Sequence, residues 1–355
     1  MATAMSEAGG EIVRLPMGSK NPLTILANAR RLARLIEARG VSLVHARSRA
    51  PAWSALIAAR RTRRPFVTTY HGSYGSVAPF KNAYNGVMAR GDLVIANSRF
   101  TAELIVARHK VPRDRIRVIY RGVDLANFSP EAISQNRIGR LRALWGISER
   151  QPIVLQAARL TSWKGQSLVI EAARRLLTEN RLGDAVIVMA GDAQGREAYR
   201  KELTRLIARY GLVDRVRLVG HCDDMPAAFA LAQVTIIAST SAETFGRTSI
   251  EAQAMGCPVI VSDIGAAPET IVAGHQDFTG WLVPCHDPAA IAERVAEALA
   301  LSPDERTALG ARARRRVAAR FTLNQMQRAT LAVYDELLDT NLAHRFAARS
   351  SPLSI

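Results

Sequence analysis

Apolar and polar positions along the chain follow two rhythms. Short apolar or β-branched runs, closed by glycine, proline or small polar residues, predict strands. They cover Glu11–Leu15, Ser42–His45, Phe66–Thr69, Asp92–Ala96 and Arg117–Ile119 in the first part of the chain. Further runs cover Ile153–Gln156, Ala185–Ala190, Val216–Val219, Val234–Ala238, Pro258–Val261 and Gly280–Pro284. Between them, apolar residues at helical spacing predict helices over Leu23–Ala38, Pro51–Arg61, Thr101–Arg108, Leu168–Leu177, Arg196–Tyr210 and Thr248–Met255. Pro288–Ala300, Pro303–Arg320 and Phe321–Leu338 complete the helical set. Strands alternating with helices imply parallel sheets covered on both faces. The polar stretch from Phe128 to Arg140 reads as a linker. This divides the chain into a first α/β domain, 1–130, a second, 131–320, and a last helix with a tail, 321–355. Residues 347–355 read as a disordered tail.

One strand–turn–helix–strand unit carries the strongest chemical signal. Val234–Ala238 is followed by Ser-Ala-Glu-Thr-Phe-Gly-Arg-Thr-Ser-Ile-Glu over Ser241–Glu251. A helix N-terminus after a glycine turn offers unpaired backbone N–H groups and a positive dipole end, which suits a phosphate. Gly246 lets the backbone approach a ligand closely. Glu243 and Glu251 flank this position. A carboxylate there repels phosphate, so hydroxyls of a sugar or ribose are its natural donors. Read alone, the pair equally fits a solvated loop acid and a dipole-favoured helix acid. Arg159 and Lys164 lie in the loop after Ile153–Gln156. A guanidinium fork and a point charge at the carboxyl edge of a sheet suit a diphosphate; two surface cations explain them equally well. His71 follows Phe66–Thr69, at the edge where open α/β sheets place ligands, although a lone histidine is more often structural.

The spacing from Glu243 to Glu251, with Ala254-Met255-Gly256-Cys257-Pro258-Val259-Ile260 after it, closely resembles the Glu-x7-Glu signature of the retaining glycosyltransferases of family 4. The resemblance runs from about Glu11 to Leu338. It implies the GT-B fold, two Rossmann-like domains facing a cleft. It implies that Glu243 contacts the donor sugar and Glu251 the nucleotide ribose. The backbone of Phe245, Gly246, Arg247 and Thr248 would meet sugar and diphosphate. Arg159 and Lys164 match the family's Gly-Arg-Leu…Lys-Gly element, which holds the diphosphate, with Ala158 in place of the glycine. His71 matches a histidine facing the donor sugar, and Gly220-His221 the segment whose backbone meets the base. Arg121-Gly122-Val123-Asp124 resembles the family's Asn-Gly-Val-Asp junction, and Gly265–Glu269 its Gly-Gly-x-x-Glu turn. Ser73-Tyr74-Gly75 and Lys81–Tyr84 would form an acceptor-side loop.

The implied activity is metal-independent, retaining transfer from a nucleotide-diphosphate sugar to a cell-envelope glycan or lipid-linked acceptor, such as lipopolysaccharide core. The donor is a substrate, so no cofactor is expected. Asp223-Asp224 reads as a helix N-terminus rather than a metal site. An epimerase of the same fold and a non-catalytic paralogue are the alternatives. The family opens with a strand, a glycine-rich loop and a helix, whereas Glu11 resembles its second strand. One βα unit is therefore expected to be missing, and no strand is expected before Glu11.

Charge adds one further expectation. The chain of 355 residues has a formal net charge of +17. Residues 1–140 hold 23 Lys/Arg against 8 Asp/Glu, net +15, and the other 215 residues hold 25 against 23, net +2. Such a first domain suits an anionic membrane surface or acceptor, although a Lys/Arg-rich solvated face is the commoner cause of such an excess. No nucleic-acid-binding signature accompanies it, so no nucleic acid is expected. Cys222, Cys257 and Cys285 fit neither a disulfide framework nor a metal spacing. With no secretory signal or membrane-length apolar run, the expected location is cytoplasmic, peripheral on the inner face of the plasma membrane.

Overall fold

In a computed structural model, which describes residues 2–7, 9–72, 84–274 and 276–350, the two rhythms resolve into two parallel sheets. The four-stranded sheet comprises β1 (Val44–Ala46), β2 (Phe66–Tyr70), β3 (Leu93–Ala96) and β4 (Ile116–Val118), in that spatial order. The six-stranded sheet comprises β5 (Ile153–Ala157), β6 (Val186–Ala190), β7 (Val216–Gly220), β8 (Ala232–Ile237), β9 (Val259–Ser262) and β10 (Gly280–Val283), ordered β10-β9-β8-β5-β6-β7. Every adjacent pair is parallel. Two such α/β domains are the GT-B architecture.

The chain divides into one unit of Met1–Asn97, Thr101–Ile119 and Thr330–Ile355, and another of Ser98–Phe100 and Tyr120–Ala329. In the second unit, strand pleating explains the near-continuous apolar runs. Val154 of β5 packs into one core with Ile187, Met189, Val234, Ile236 and Ile260. Its neighbours Ile153 and Leu155 pack into another, with Val186, Val188, Val259 and Val261. Helices Gln166–Thr178, Glu197–Arg209 and Pro288–Ala300 line the first core. Helices Gln135–Trp145 and Met225–Leu231 line the second.

Three expectations need correction. Glu11–Leu15 is not a strand: it is largely exposed and pairs with no strand, and Glu11 instead meets Arg39 at 2.8 Å. Alternation makes a strand only where a neighbour supplies ladder partners. The stretch expected to be a linker contains helix Gln135–Trp145. Ser134 caps it, and Leu141 and Trp145 are buried under the second sheet. Its apolar residues Ile138, Leu141 and Trp145 stand at helical spacing, diluted by polar neighbours. Residues 342–350, which overlap the expected tail, form a helix. Its amides at Leu342 and Ala343 donate to Asp335. Residues 351–355 lie outside the described residues, as do Ser73-Tyr74-Gly75 and 81–83 of the expected acceptor-side loop.

Within the first unit, His45 in the middle of β1 joins two elements. Its Nε2 lies 2.7 Å from Thr69 Oγ1 on β2, and its Nδ1 lies 2.7 Å from the Tyr334 hydroxyl. Burial, aided by the nearby Arg47 charge, lowers its pKa to about 4. His109 is lowered in the same direction by burial and Arg108. A histidine kept neutral when folded contributes stability above its unfolded pKa, which is lost as pH falls through that value towards the folded one. Stability of this unit should therefore drop between about pH 6.5 and pH 4, with His45 contributing roughly 3 kcal/mol. Denaturant midpoints measured across this range should flatten in His45→Gln. An unchanged slope would show that the ring does not control it.

Candidate active site

The order of the six-stranded sheet fixes where a ligand can sit. From β5 the chain moves outward through β6 and β7, then returns to the other side of β5 for β8, β9 and β10. The direction reverses between β5 and β8, and crevices at the carboxyl ends of such strands bind ligands. The loops after β5 and β8 carry Arg159, Lys164, Glu243 and Gly246.

These loops are held by close backbone contacts. Thr240 N–H donates to Trp163 O at 2.8 Å, and Gln156 Nε2 donates to Lys164 O at 2.8 Å. Gly165 has φ +71°, and a Cβ there would lie 2.0 Å from Ala238 O. Gln166 Nε2 holds Arg159 O at 2.9 Å. The loop after β8 is pinned from its other side. Ala266 N–H donates to Glu243 O at 2.9 Å, next to an isolated bridge between Glu243 and Gly265.

On this frame Lys164 Nζ lies 2.6 Å from Glu243 Oε1, each side chain only 15% exposed. Ser239 Oγ, at the end of β8, donates to the same carboxylate oxygen. Lys164 Nζ also stands 4.5 Å from the centre of the Trp163 ring, so that tryptophan does more than fill space. Gly246, at φ +108°, leads into helix Arg247–Ala254. Within that helix, Arg247 Nη2 pairs with Glu251 at 2.7 Å. Burial raises the Glu251 carboxyl above the usual carboxylate range, with Arg247 pulling the other way. Thr248 Oγ1 reaches Ala157 O at 3.4 Å, at the end of β5.

The structure does not bring every candidate together. Phe245 turns its ring into a buried cluster with Tyr120 and Phe321, at centroid distances of 5.9 and 5.8 Å. Arg159 is exposed, and its Nη1 reaches Gln194 Oε1 at 3.4 Å. Gly220, at φ +75°, ends β7, and its carbonyl accepts from Gly191 N–H at 2.7 Å. His221 is exposed and meets Asp223 at 3.0 Å. Asp224 caps helix Met225–Leu231 and pairs with Arg137 at 2.6 Å, so it is committed to structure. His71 belongs to the first unit, where it follows β2 and is half-buried. Among the described residues, no cluster of His, Cys, Asp and Glu could hold a metal, and no helix is long and apolar enough to cross a membrane.

Sequence reasoning missed Ser239 and Gln156. A serine four residues before the glutamate, at a strand end, is a usable signal for the first. Nothing in the sequence shows that Gln156 turns back to the Lys164 carbonyl.

Comparison with known proteins converges on one group. Residues 138–316 match the family described as Glycosyl transferases group 1, and residues 4–127 match Glycosyltransferase Family 4. A D-inositol 3-phosphate glycosyltransferase 1 of Catenulispora acidiphila is 31% identical over 273 residues, covering 76% of this chain and 63% of that protein. A D-inositol 3-phosphate glycosyltransferase of Xylanimonas cellulosilytica is 33% identical, covering 70% and 58%. The chain thus spans less than two thirds of the length of these curated relatives. A glycosyltransferase structure from Rickettsia africae superposes with a TM-score of 0.86 at 32% identity, covering 96% of this chain and 88% of that one. Anabaena Alr3699/HepE in complex with UDP gives 0.80 at 23% identity, covering 95% and 89%.

Proposed function

The chain belongs to the glycosyl transferases of group 1, and on that premise we propose that it moves a sugar, with retention, from a nucleotide-diphosphate sugar to an acceptor hydroxyl. The observation that carries this reading is the half-closed Lys164–Glu243 pair beside the Gly246 helix start, at the point where strand order reverses. It supplies a cation for a diphosphate and a carboxylate for sugar hydroxyls within one hydrogen bond of each other. Arg159 and the backbone of 245–248 would complete the diphosphate contacts, Glu251 would take the ribose, Gly220-His221 the base, and His71 the sugar.

The chemistry would be front-face displacement. The bond between sugar C1 and the diphosphate oxygen breaks, and the bond from the acceptor oxygen to C1 forms on the same face. The acceptor hydroxyl's proton passes to the departing diphosphate. No side chain needs to act as a nucleophile. The protein's task is to stabilise charge on the leaving group, and preorganised electrostatics of this kind commonly supply most of an enzyme's rate enhancement. The Anabaena structures hold UDP and UDP-glucose, so uridine nucleotides open the donor screen. Saturation-transfer NMR across nucleotide sugars tests the reading. At least one donor should show strong nucleotide and sugar signals, and the absence of any binding would refute it.

The acceptor we propose is anionic. Residues 1–140 carry nearly all the excess positive charge, and the curated relatives' names specify a phosphorylated polyol, D-inositol 3-phosphate. An acidic cell-envelope glycan or glycolipid satisfies the same charge. Helix Pro22–Ala38 exposes Leu23 and Leu26 together with Arg30, Arg31 and Arg34, which suits peripheral contact with an acidic leaflet. Binding to anionic vesicles is therefore expected, weakening as salt rises. Equal sedimentation with neutral and anionic vesicles would exclude it.

A further inference from the structure

We propose that the Glu243–Lys164 pair makes the site discriminate against the bare nucleoside diphosphate, so that donor binds and product leaves. This rests on the donor-site reading above and adds a selection step to it.

Without ligand, the two charges satisfy each other at 2.6 Å, and each side chain is mostly shielded from water. The Ser239 hydroxyl donates to the same oxygen, Oε1, and Ser239 itself is 1% exposed. A diphosphate that takes Lys164 strips Glu243 of its cation. The carboxylate is then left in a partly closed site with one neutral donor, beside new negative charge. Leaving one member of a shielded ion pair without its partner is strongly unfavourable. A nucleotide sugar removes that penalty, because its hydroxyls donate to Glu243 while its diphosphate takes Lys164. Once the sugar has been transferred, the penalty returns and favours release of the diphosphate. The pair therefore holds the site against product.

The probe is UDP, with ADP, GDP, CDP and TDP as the panel, and dissociation constants are measured by calorimetry. Glu243→Gln, which keeps shape and removes charge, should bind the nucleoside diphosphate on the order of tenfold more tightly than wild type. Ser239→Ala removes the donor that remains to Glu243, so it should bind about threefold more weakly. In a Lys164→Met background, the gain from Glu243→Gln should shrink to within about twofold. Equal or weaker binding by Glu243→Gln overturns the proposal. A tenfold gain that persists without Lys164 also overturns it, because it would then be plain charge repulsion. If neither wild type nor Glu243→Gln binds any member of the panel or its nucleotide sugars, the donor-site reading itself fails, and this inference falls with it.

Discussion

Lys164→Ala and Glu243→Ala should each reduce sugar transfer by about 100-fold or more while the fold survives. Both side chains project from loops beyond the strand ends, and the two cores beneath do not depend on either. On the proposed reading, the lysine variant would lack a cation at the leaving group, where negative charge grows as the glycosidic bond breaks, and the glutamate variant a carboxylate to orient the sugar hydroxyls. The two variants should separate in binding: the lysine variant weakens the nucleoside diphosphate, whereas the glutamate variant does not. Circular dichroism and thermal melting establish that the fold is retained. A near-wild-type rate in either variant would remove that residue from the site.

Gly165→Ala should destabilise the second unit by about 2–4 kcal/mol, a fall in melting temperature of roughly 5–15 °C. Two costs add. The backbone at Gly165 is left-handed, at φ +71°, and a Cβ would stand 2.0 Å from the carbonyl oxygen of Ala238. That oxygen belongs to the backbone and cannot swing away. The only relief is to part the loops after β5 and β8, which also parts Lys164 from Glu243, so donor binding should fall with stability. Gly183 is the control. Its φ is +53° and nothing lies within 4 Å of an added Cβ, so Gly183→Ala should cost only about 1 kcal/mol. Equal melting of the two variants would mean that the contact at Gly165 is slack.

The alternation of β and helical rhythms is enough to read two parallel α/β domains, because buried parallel strands are apolar on both faces. Val154 facing one core and Leu155 the other is the physical form of that signal. Glu11–Leu15 misleads because a strand is defined by its neighbour, and sequence alternation says nothing about whether one is present. Helix Gln135–Trp145 escapes because polar residues dilute its inward-facing Ile138, Leu141 and Trp145 and the exposed Leu144 blurs their period. Around the site, Glu243, Glu251, Arg159 and Lys164 stand out through their residue types and spacing. The pairing of Lys164 with Glu243, 79 positions apart, is not legible, because it depends on two loops crossing at Gly165 and Thr240. The packing of the Phe245 ring against Tyr120 and Phe321 is likewise not legible, because the signature speaks only for its backbone.

Transfer with retention from a nucleotide-diphosphate sugar is tested most directly by a proton NMR time course of the anomeric signals. The reaction should hold the donor found by screening, with and without an anionic acceptor such as D-inositol 3-phosphate or an acidic envelope glycolipid. The donor's anomeric signal should decay only when acceptor is present, and the new glycoside should have the donor's anomeric configuration. A new nucleotide-sugar signal appearing without acceptor, or a glycoside of opposite configuration, would contradict transfer with retention.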